Sequence, residues 1–205
     1  MSLEPSADAI DALAWSKQGG LLPAVVQDAD TLRVLMLGYM DAAALRATLD
    51  TGHVTFFSRS RNTQWTKGET SGHFLDVVAI DVDCDQDTLL VTARPHGPTC
   101  HLGRESCFPT APASFVRELD ALVASRERER PAGSYTTRLF EAGVRGVAQK
   151  VGEEGVETAL AAVVQSDEEL LGEAGDLVYH LLVLLRARGL GLADVERVLR
   201  ARHAR

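Results

Sequence analysis

The strongest constraint on the fold is a change of texture near residues 109–113. Ahead of it, apolar residues come in short runs broken by Gly, Asp, Asn and Pro; beyond it they recur at helical spacing towards the C-terminus. Strands alternate faces at every residue and helices repeat every 3.6, so one layer of structure cannot satisfy both patterns. Two domains are expected, divided where Pro109 and Pro112 sit among small residues. Residues 1–114 read as a mostly-β (α+β) domain and residues 115–205 as an all-α helical bundle.

In the first part, residues 21–27 and 33–39 read as a hairpin turned by Asp28-Ala29-Asp30. Asp41 reads as the N-cap of a short helix ending near Asp50, with Gly52 as its stop. Residues 54–58, 75–83 and 88–94 are further strands. In the second part, Phe115, Val116, Leu119, Leu122 and Val123 mark a helix over 115–128, and Pro131-Ala132-Gly133-Ser134 breaks it. The net charge of −8 argues against a general nucleic-acid or anionic-membrane binder, so an anionic ligand needs a local basic or metal-bearing site. No run is long and apolar enough to span a bilayer and no leader pattern opens the chain, which leads us to expect a cytoplasmic protein.

After the apolar run Val77-Val78-Ala79-Ile80 comes Asp81-Val82-Asp83-Cys84-Asp85-Gln86-Asp87. If the strand continues, Asp81, Asp83, Asp85 and Asp87 share one face and Cys84 takes the other. Two readings fit: an acidic turn closing a strand, or oxygen ligands whose repulsion a hard ion such as Mg²⁺ relieves, with a thiol suited to a softer ion such as Zn²⁺. The three cysteines, Cys84, Cys100 and Cys107, are odd in number and lack the Cys-x-x-Cys spacing of a structural zinc site. They are either buried thiols or three ligands that leave a fourth position for water. Beside them His101 is a proton carrier, a further ligand or a surface imidazole, with His73 and His96 as secondary candidates.

Residues 58–73 are rich in donors for phosphate and ribose: Arg59, Arg61, Lys67, several hydroxyls including Ser71, and Glu69 among glycines that admit a ligand to the backbone. Trp65 is placed to stack on a base. The alternative is a polar loop with an anchoring Trp, since no P-loop or Rossmann spacing is present.

Taken together, Leu22-Pro23-Ala24-Val25-Val26-Gln27-Asp28, Trp65-Thr66-Lys67-Gly68-Glu69-Thr70-Ser71-Gly72, Asp83-Cys84-Asp85-Gln86-Asp87 and Cys100-His101 through Ser106-Cys107-Phe108 resemble phosphoribosyl-AMP cyclohydrolase of histidine biosynthesis, over roughly residues 12 to 110. The resemblance implies that Cys84, Cys100 and Cys107 bind zinc across a homodimer interface and that Asp83, Asp85 and Asp87 bind Mg²⁺. It also implies a reaction in which zinc-activated water attacks C6 of a nucleotide's adenine and opens the N1–C6 bond, with His101 and Lys67 as catalytic groups. Arg59, Arg61, Trp65, Lys67, Glu69 and Ser71 are the expected substrate contacts. Asp81 has no such role, and Leu102 and Glu105 stand where more polar or basic residues are expected.

In the second part, Glu153 and Glu157 fall on one helical stripe with Leu160 and Val164, an odd place for carboxylates on a core face. Glu173 and Asp176 form an i, i+3 pair at the start of a strongly apolar helix, whereas Asp167, Glu168 and Glu169 read as a solvated run. Inward carboxylates on two facing helices make an oxygen cage for Mg²⁺, and Lys150 or Arg145 can meet phosphates. With Gly133-Ser134-Tyr135-Thr136 and Leu139-Phe140, this segment resembles phosphoribosyl-ATP pyrophosphatase, of the MazG-like nucleotide pyrophosphatase type, over roughly residues 115 to 203. The resemblance implies Glu153, Glu154, Glu157, Glu173 and Asp176 as Mg²⁺ ligands, Glu153 and Glu157 as catalytic, and Lys150 as a substrate contact. Glu154 lies about 100° round the helix from Glu153, so it is expected at the rim of the cage. Rival readings are a general nucleotide pyrophosphatase, which leaves the cysteine half unexplained, and a metal-dependent nucleotide-binding regulator, which had no need to keep complete thiol and carboxylate sets.

Overall fold

The computed structural model describes residues 7–203 and divides after Ser114 into two compact units. The first begins with a short helix α1 (Ala7–Asp11) and a 3-10 turn (Trp15–Gln18), followed by β1 (Leu22–Asp28), β2 (Val34–Met40), helix α2 (Ala42–Thr51), β3 (Thr55–Ser58), β4 (Thr63–Thr66), β5 (Leu75–Val82) and β6 (Leu89–Pro95). Four strands form a sheet in the order β2-β1-β6-β5, in which β1 and β6 run parallel and the outer pairs antiparallel. Alternation decides the inward face: Leu22, Ala24 and Val26 of β1 and Leu89, Val91 and Ala93 of β6 are fully buried. Met40, Leu45, Val54, Phe56 and Leu75 close over that face.

The start and stop signals around α2 act as expected. Asp41 accepts from the Ala44 amide at 2.7 Å, and Gly52 ends the helix at φ 72°. Two features depart from the sequence reading. Residues 63–66, read within a donor-rich loop, are strand β4, which pairs with β3 and sets Trp65 opposite Phe56 with ring centroids 5.2 Å apart. Strand β5 stops at Val82, so alternation does not extend through Asp87; residues 83–87 instead form a turn in which Gln86 takes φ 62°.

The second unit consists of α3 (Phe115–Glu129), α4 (Tyr135–Glu141), α5 (Gly143–Val164), α6 (Asp167–Ala187) and α7 (Leu192–His203). Ser166 starts α6 with a reciprocal pair: its hydroxyl accepts from the Glu169 amide and Glu169 accepts from the Ser166 amide. The stripe of α5 that this unit buries is Val147, Glu154 and Ala161. The stripe expected to face the core is not the one buried, since Leu160 is 56% and Val164 74% exposed. Apolar periodicity finds a stripe but not the surface that covers it.

An ion pair absent from the sequence reading links three helices of this unit. The Arg186 guanidinium (α6) donates to both carboxylate oxygens of buried Asp120 (α3), Nε at 3.0 Å, and the Leu192 amide at the start of α7 donates to the same group at 3.3 Å. Asp120→Ala should therefore lower the stability of the second unit by roughly 3 kcal/mol, because it leaves a half-buried guanidinium and an amide unpaired. Urea unfolding followed on the full chain checks this, and a shift below about 1 kcal/mol would reduce the pair to a surface contact.

Candidate functional sites

A cavity of about 570 Å³ opens in the first unit. One wall is Trp65 of β4 and the turn that follows it, with Lys67, Glu69, Ser71 and His73; the other is the segment 98–107, with Cys100, His101 and Cys107. The turn folds back sharply at Gly68 (φ +96°), where a Cβ would meet the Phe74 nitrogen at 2.5 Å, so only glycine fits. Segment 98–107 is tied to β2: Ser106 Oγ donates to the Val34 carbonyl at 2.7 Å and the Cys107 amide to the Leu35 carbonyl at 2.8 Å. These ties bring Cys100 and Cys107 together although the strand pattern offered no hint of it.

Lys67, a buried residue of the cavity lining, donates to the His73 carbonyl at 3.2 Å. Burial pushes its ammonium down from the ordinary range, while the nearby Cys107 and Cys100 push it up. In turn, burial and Cys100 raise the Cys107 thiol, and Lys67 opposes them. A protonated thiol must release its proton to become a metal ligand, so these two sulfurs and an ammonium form a set whose charges a cation would rearrange. The two soft donors, with His101 Nδ1 4.0 Å from the Cys100 sulfur and the buried Thr99 hydroxyl lacking a protein partner, suit zinc with water close by.

Most of the expected contacts of this site line the cavity, including Arg61. Arg59 does not; its guanidinium lies over the Tyr39 ring, 3.8 Å from the centroid. His96 is also elsewhere, paired at 2.5 Å with Asp76, which meets His53 on its other oxygen at 2.9 Å. Cys84 is exposed in the β5–β6 turn and is not among the cavity residues. Among the described residues, the three thiols do not converge on one point in a single chain.

In that turn Asp83, Asp85 and Asp87 each bring one carboxylate oxygen within 4.8 Å of the others, without Asp81. The cause is the turn itself: Asp83 Oδ1 accepts from the Asp87 and Thr88 amides at 2.9 and 3.1 Å, which curls the segment on itself. Lys17 was not anticipated. Its ammonium reaches Asp85 Oδ2 at 2.8 Å and the Asp85 carbonyl at 3.0 Å, which holds the Asp85 carboxyl below its usual range. No spacing signal relates residues so far apart in the chain.

In the second unit, the groups that converge within 4.8 Å are Glu154, Glu157 and Glu173. Glu154, expected at the rim, is the buried member at 5% exposure, and Lys150 meets its Oε1 at 3.0 Å. Glu153, expected inside, instead accepts from Gln149 and Lys150 at 2.8 and 2.9 Å on the helix surface, which lowers its carboxyl. Asp176 is exposed and outside the trio, one turn beyond Glu173. Burial and the charges of Glu154 and Glu173 raise the Glu157 carboxyl, and both bonded glutamates raise the Lys150 ammonium. The crowding is the condition that an oxygen-seeking dication relieves.

Comparison with known proteins assigns each unit. Residues 36–109 match phosphoribosyl-AMP cyclohydrolase and residues 116–203 match phosphoribosyl-ATP pyrophosphohydrolase. Similar proteins named histidine biosynthesis bifunctional protein HisIE occur in Xanthomonas campestris pv. campestris (71% identity, covering 96% of this chain and 95% of the relative) and Shewanella oneidensis (58%, covering 93% and 91%). A third, in Salmonella typhimurium, is 56% identical and covers 93% and 95%. The chain therefore belongs to the phosphoribosyl-AMP cyclohydrolase family through its first unit and to the phosphoribosyl-ATP pyrophosphohydrolase family through its second.

Proposed function

We propose that this chain, a bifunctional hydrolase of histidine biosynthesis, acts first with its second unit, which removes pyrophosphate from phosphoribosyl-ATP, and then with its first, which opens the adenine ring of the resulting phosphoribosyl-AMP. In this reading the second unit is of the MazG-like, all-α nucleotide pyrophosphatase type. Glu154, Glu157 and Glu173, joined by Asp176 from the next turn of α6, hold Mg²⁺ against the substrate's phosphates, and Lys150, which Glu153 holds from the helix surface, turns its ammonium towards them. In the first unit Cys100 and Cys107 hold zinc with Cys84 of the partner subunit, while Asp83, Asp85 and Asp87 take Mg²⁺. Zinc, when bound, supplies Lewis-acid activation of water. The chain's own groups do the rest: Trp65 faces the base, Arg61 and Ser71 offer donors to ribose and phosphate, and Lys67 holds positive charge beside the reacting centre. His101 takes the proton as water oxygen bonds to C6, and that proton ends on N1 as the N1–C6 bond breaks.

The cavity that joins Cys100, Cys107, Lys67 and Trp65 carries this reading. A homodimer is supported by the two-thiol half-site and by exposed stripes on the second unit, Val156, Leu160, Val163 and Val164 on α5 with Leu171, Val178 and Leu181 on α6. No helix among the described residues is long and apolar enough to cross a membrane, and the thiols are free, which suits a reducing cytoplasm.

Mixing tests the shared zinc site. Cys84→Ser and Cys100→Ser chains should each be inactive in ring opening, yet after subunit exchange about a quarter of wild-type turnover should return, because half the dimers are mixed and each has one intact site. No recovery, with exchange verified by mass, would place all three thiols in one chain.

A further inference from the structure

His180 is buried in α6 at 4% exposure, and the mechanism above gives it no task. Its Nδ1 lies 2.8 Å from the backbone carbonyl of Asp176, one turn earlier. A carbonyl oxygen only accepts, so Nδ1 carries a proton. In the neutral ring Nε2 then holds a lone pair, and Tyr135 Oη, 3.0 Å away, donates to it. Tyr135 and Tyr179 meet the imidazole edge-on, with ring centroids 6.1 and 5.1 Å from it, so the ring plane is fixed as well as the tautomer.

The same Nδ1 lies 3.6 Å from Oε1 of Glu154. That separation is too long for a hydrogen bond, and the proton itself goes to the Asp176 carbonyl, but the contact sets the proton-bearing edge of a buried imidazole beside a buried carboxylate oxygen, where its positive partial charge is felt at low dielectric. Lys150 reaches the same oxygen from its own side at 3.0 Å. Glu154 therefore lies between a long, half-exposed lysine and a rigid imidazole, and the imidazole is the partner with a fixed position.

We propose that His180 is a positioning residue for the carboxylate trio: Tyr135 and the Asp176 carbonyl fix its tautomer, and its Nδ1–H keeps Glu154 in place beside Glu157 and Glu173. The inference rests on reading that trio as a Mg²⁺ site. Polar groups behind a metal ligand set its orientation, and their loss costs about 10- to 100-fold in metal affinity.

Calorimetric titration of the full chain with Mn²⁺, which shares the charge and oxygen-ligand preference of Mg²⁺, tests this; the binding event of the trio is the one missing in Glu154→Gln. His180→Asn keeps an N–H donor where Nδ1 sits, whereas His180→Gln carries its amide out to the Nε2 position and leaves the Nδ1 position empty. His180→Gln should weaken the event by about 10-fold or more and raise the Mn²⁺ needed for half-maximal pyrophosphate release equally, with ring opening unchanged. His180→Asn should stay within about threefold of the native chain. Equal losses in both, or none in His180→Gln, would overturn the proposal, since a purely packing role does not distinguish the two amides. Should either variant fail to fold, Tyr135→Phe alters only a half-exposed hydroxyl, and an affinity drop of about threefold is expected; no drop would overturn the tautomer argument. A native titration identical to that of Glu154→Gln would instead remove the metal reading of the trio, an outcome distinct from a failure of His180 to position it.

Discussion

Cys100→Ser should reduce ring opening by about a thousand-fold or more while pyrophosphate release continues at its native rate. The sulfur is buried beside Cys107, on the wall of the cavity that also holds Lys67 and Trp65. Serine keeps the shape but offers a hydroxyl that stays protonated and binds a soft ion poorly. Several kcal/mol of charge stabilisation then leave the transition state, and each 1.36 kcal/mol is tenfold in rate. The substitution is confined to one unit, so a phosphoribosyl-ATP assay should show accumulating phosphoribosyl-AMP. Equal loss of both activities in a folded variant would count against separate sites.

The reciprocal result is expected for Glu154→Gln, which should slow pyrophosphate release by about two to three orders of magnitude and leave ring opening of supplied phosphoribosyl-AMP intact. Glutamine preserves the volume of the buried side chain but removes one of three carboxylates, and an amide oxygen is a weaker ligand for a hard dication. Stability separates this effect from simple damage. Glu154 is a source of the repulsion that raises Glu157, and Lys150 retains Glu153 as a partner, so the variant should melt at or above the native temperature. A lower melting temperature with equal loss of both activities would point to a structural role alone.

Much of the architecture was legible because it is written in local terms. The two periodicities, the Asp41 cap, the Gly52 stop and the break before Ser134 each depend on a few neighbouring residues. What was not legible depends on where remote surfaces meet. Strand β4 was hidden because Thr63 to Thr66 is polar and only its pairing with β3 makes it a strand. The positions of Glu153 and Glu154 were exchanged because the stripe with the greater apolar content, running through Leu160 and Val164, is not the stripe this chain buries. Lys17, Asp120 with Arg186, and His180 with Tyr135 are pairings across at least 45 residues, beyond the reach of any spacing argument.

The parallel pairing of β1 with β6 also orders events in time. It is the central seam of the first unit's sheet, matching Ala24 with Leu89 through to Asp28 with Ala93, and it forms only after everything between has been gathered into a closed loop. Closing a loop of that length costs about 4 kcal/mol of chain entropy before any contact is returned, whereas α5 and α6 meet through a turn at Gln165 and Ser166. Because rates fall as contacts become less local, the helical unit should reach its native state well ahead of the sheet. On a ribosome the order of synthesis offsets this difference, since the slower unit emerges first and has the time needed to make the second unit to close its seam.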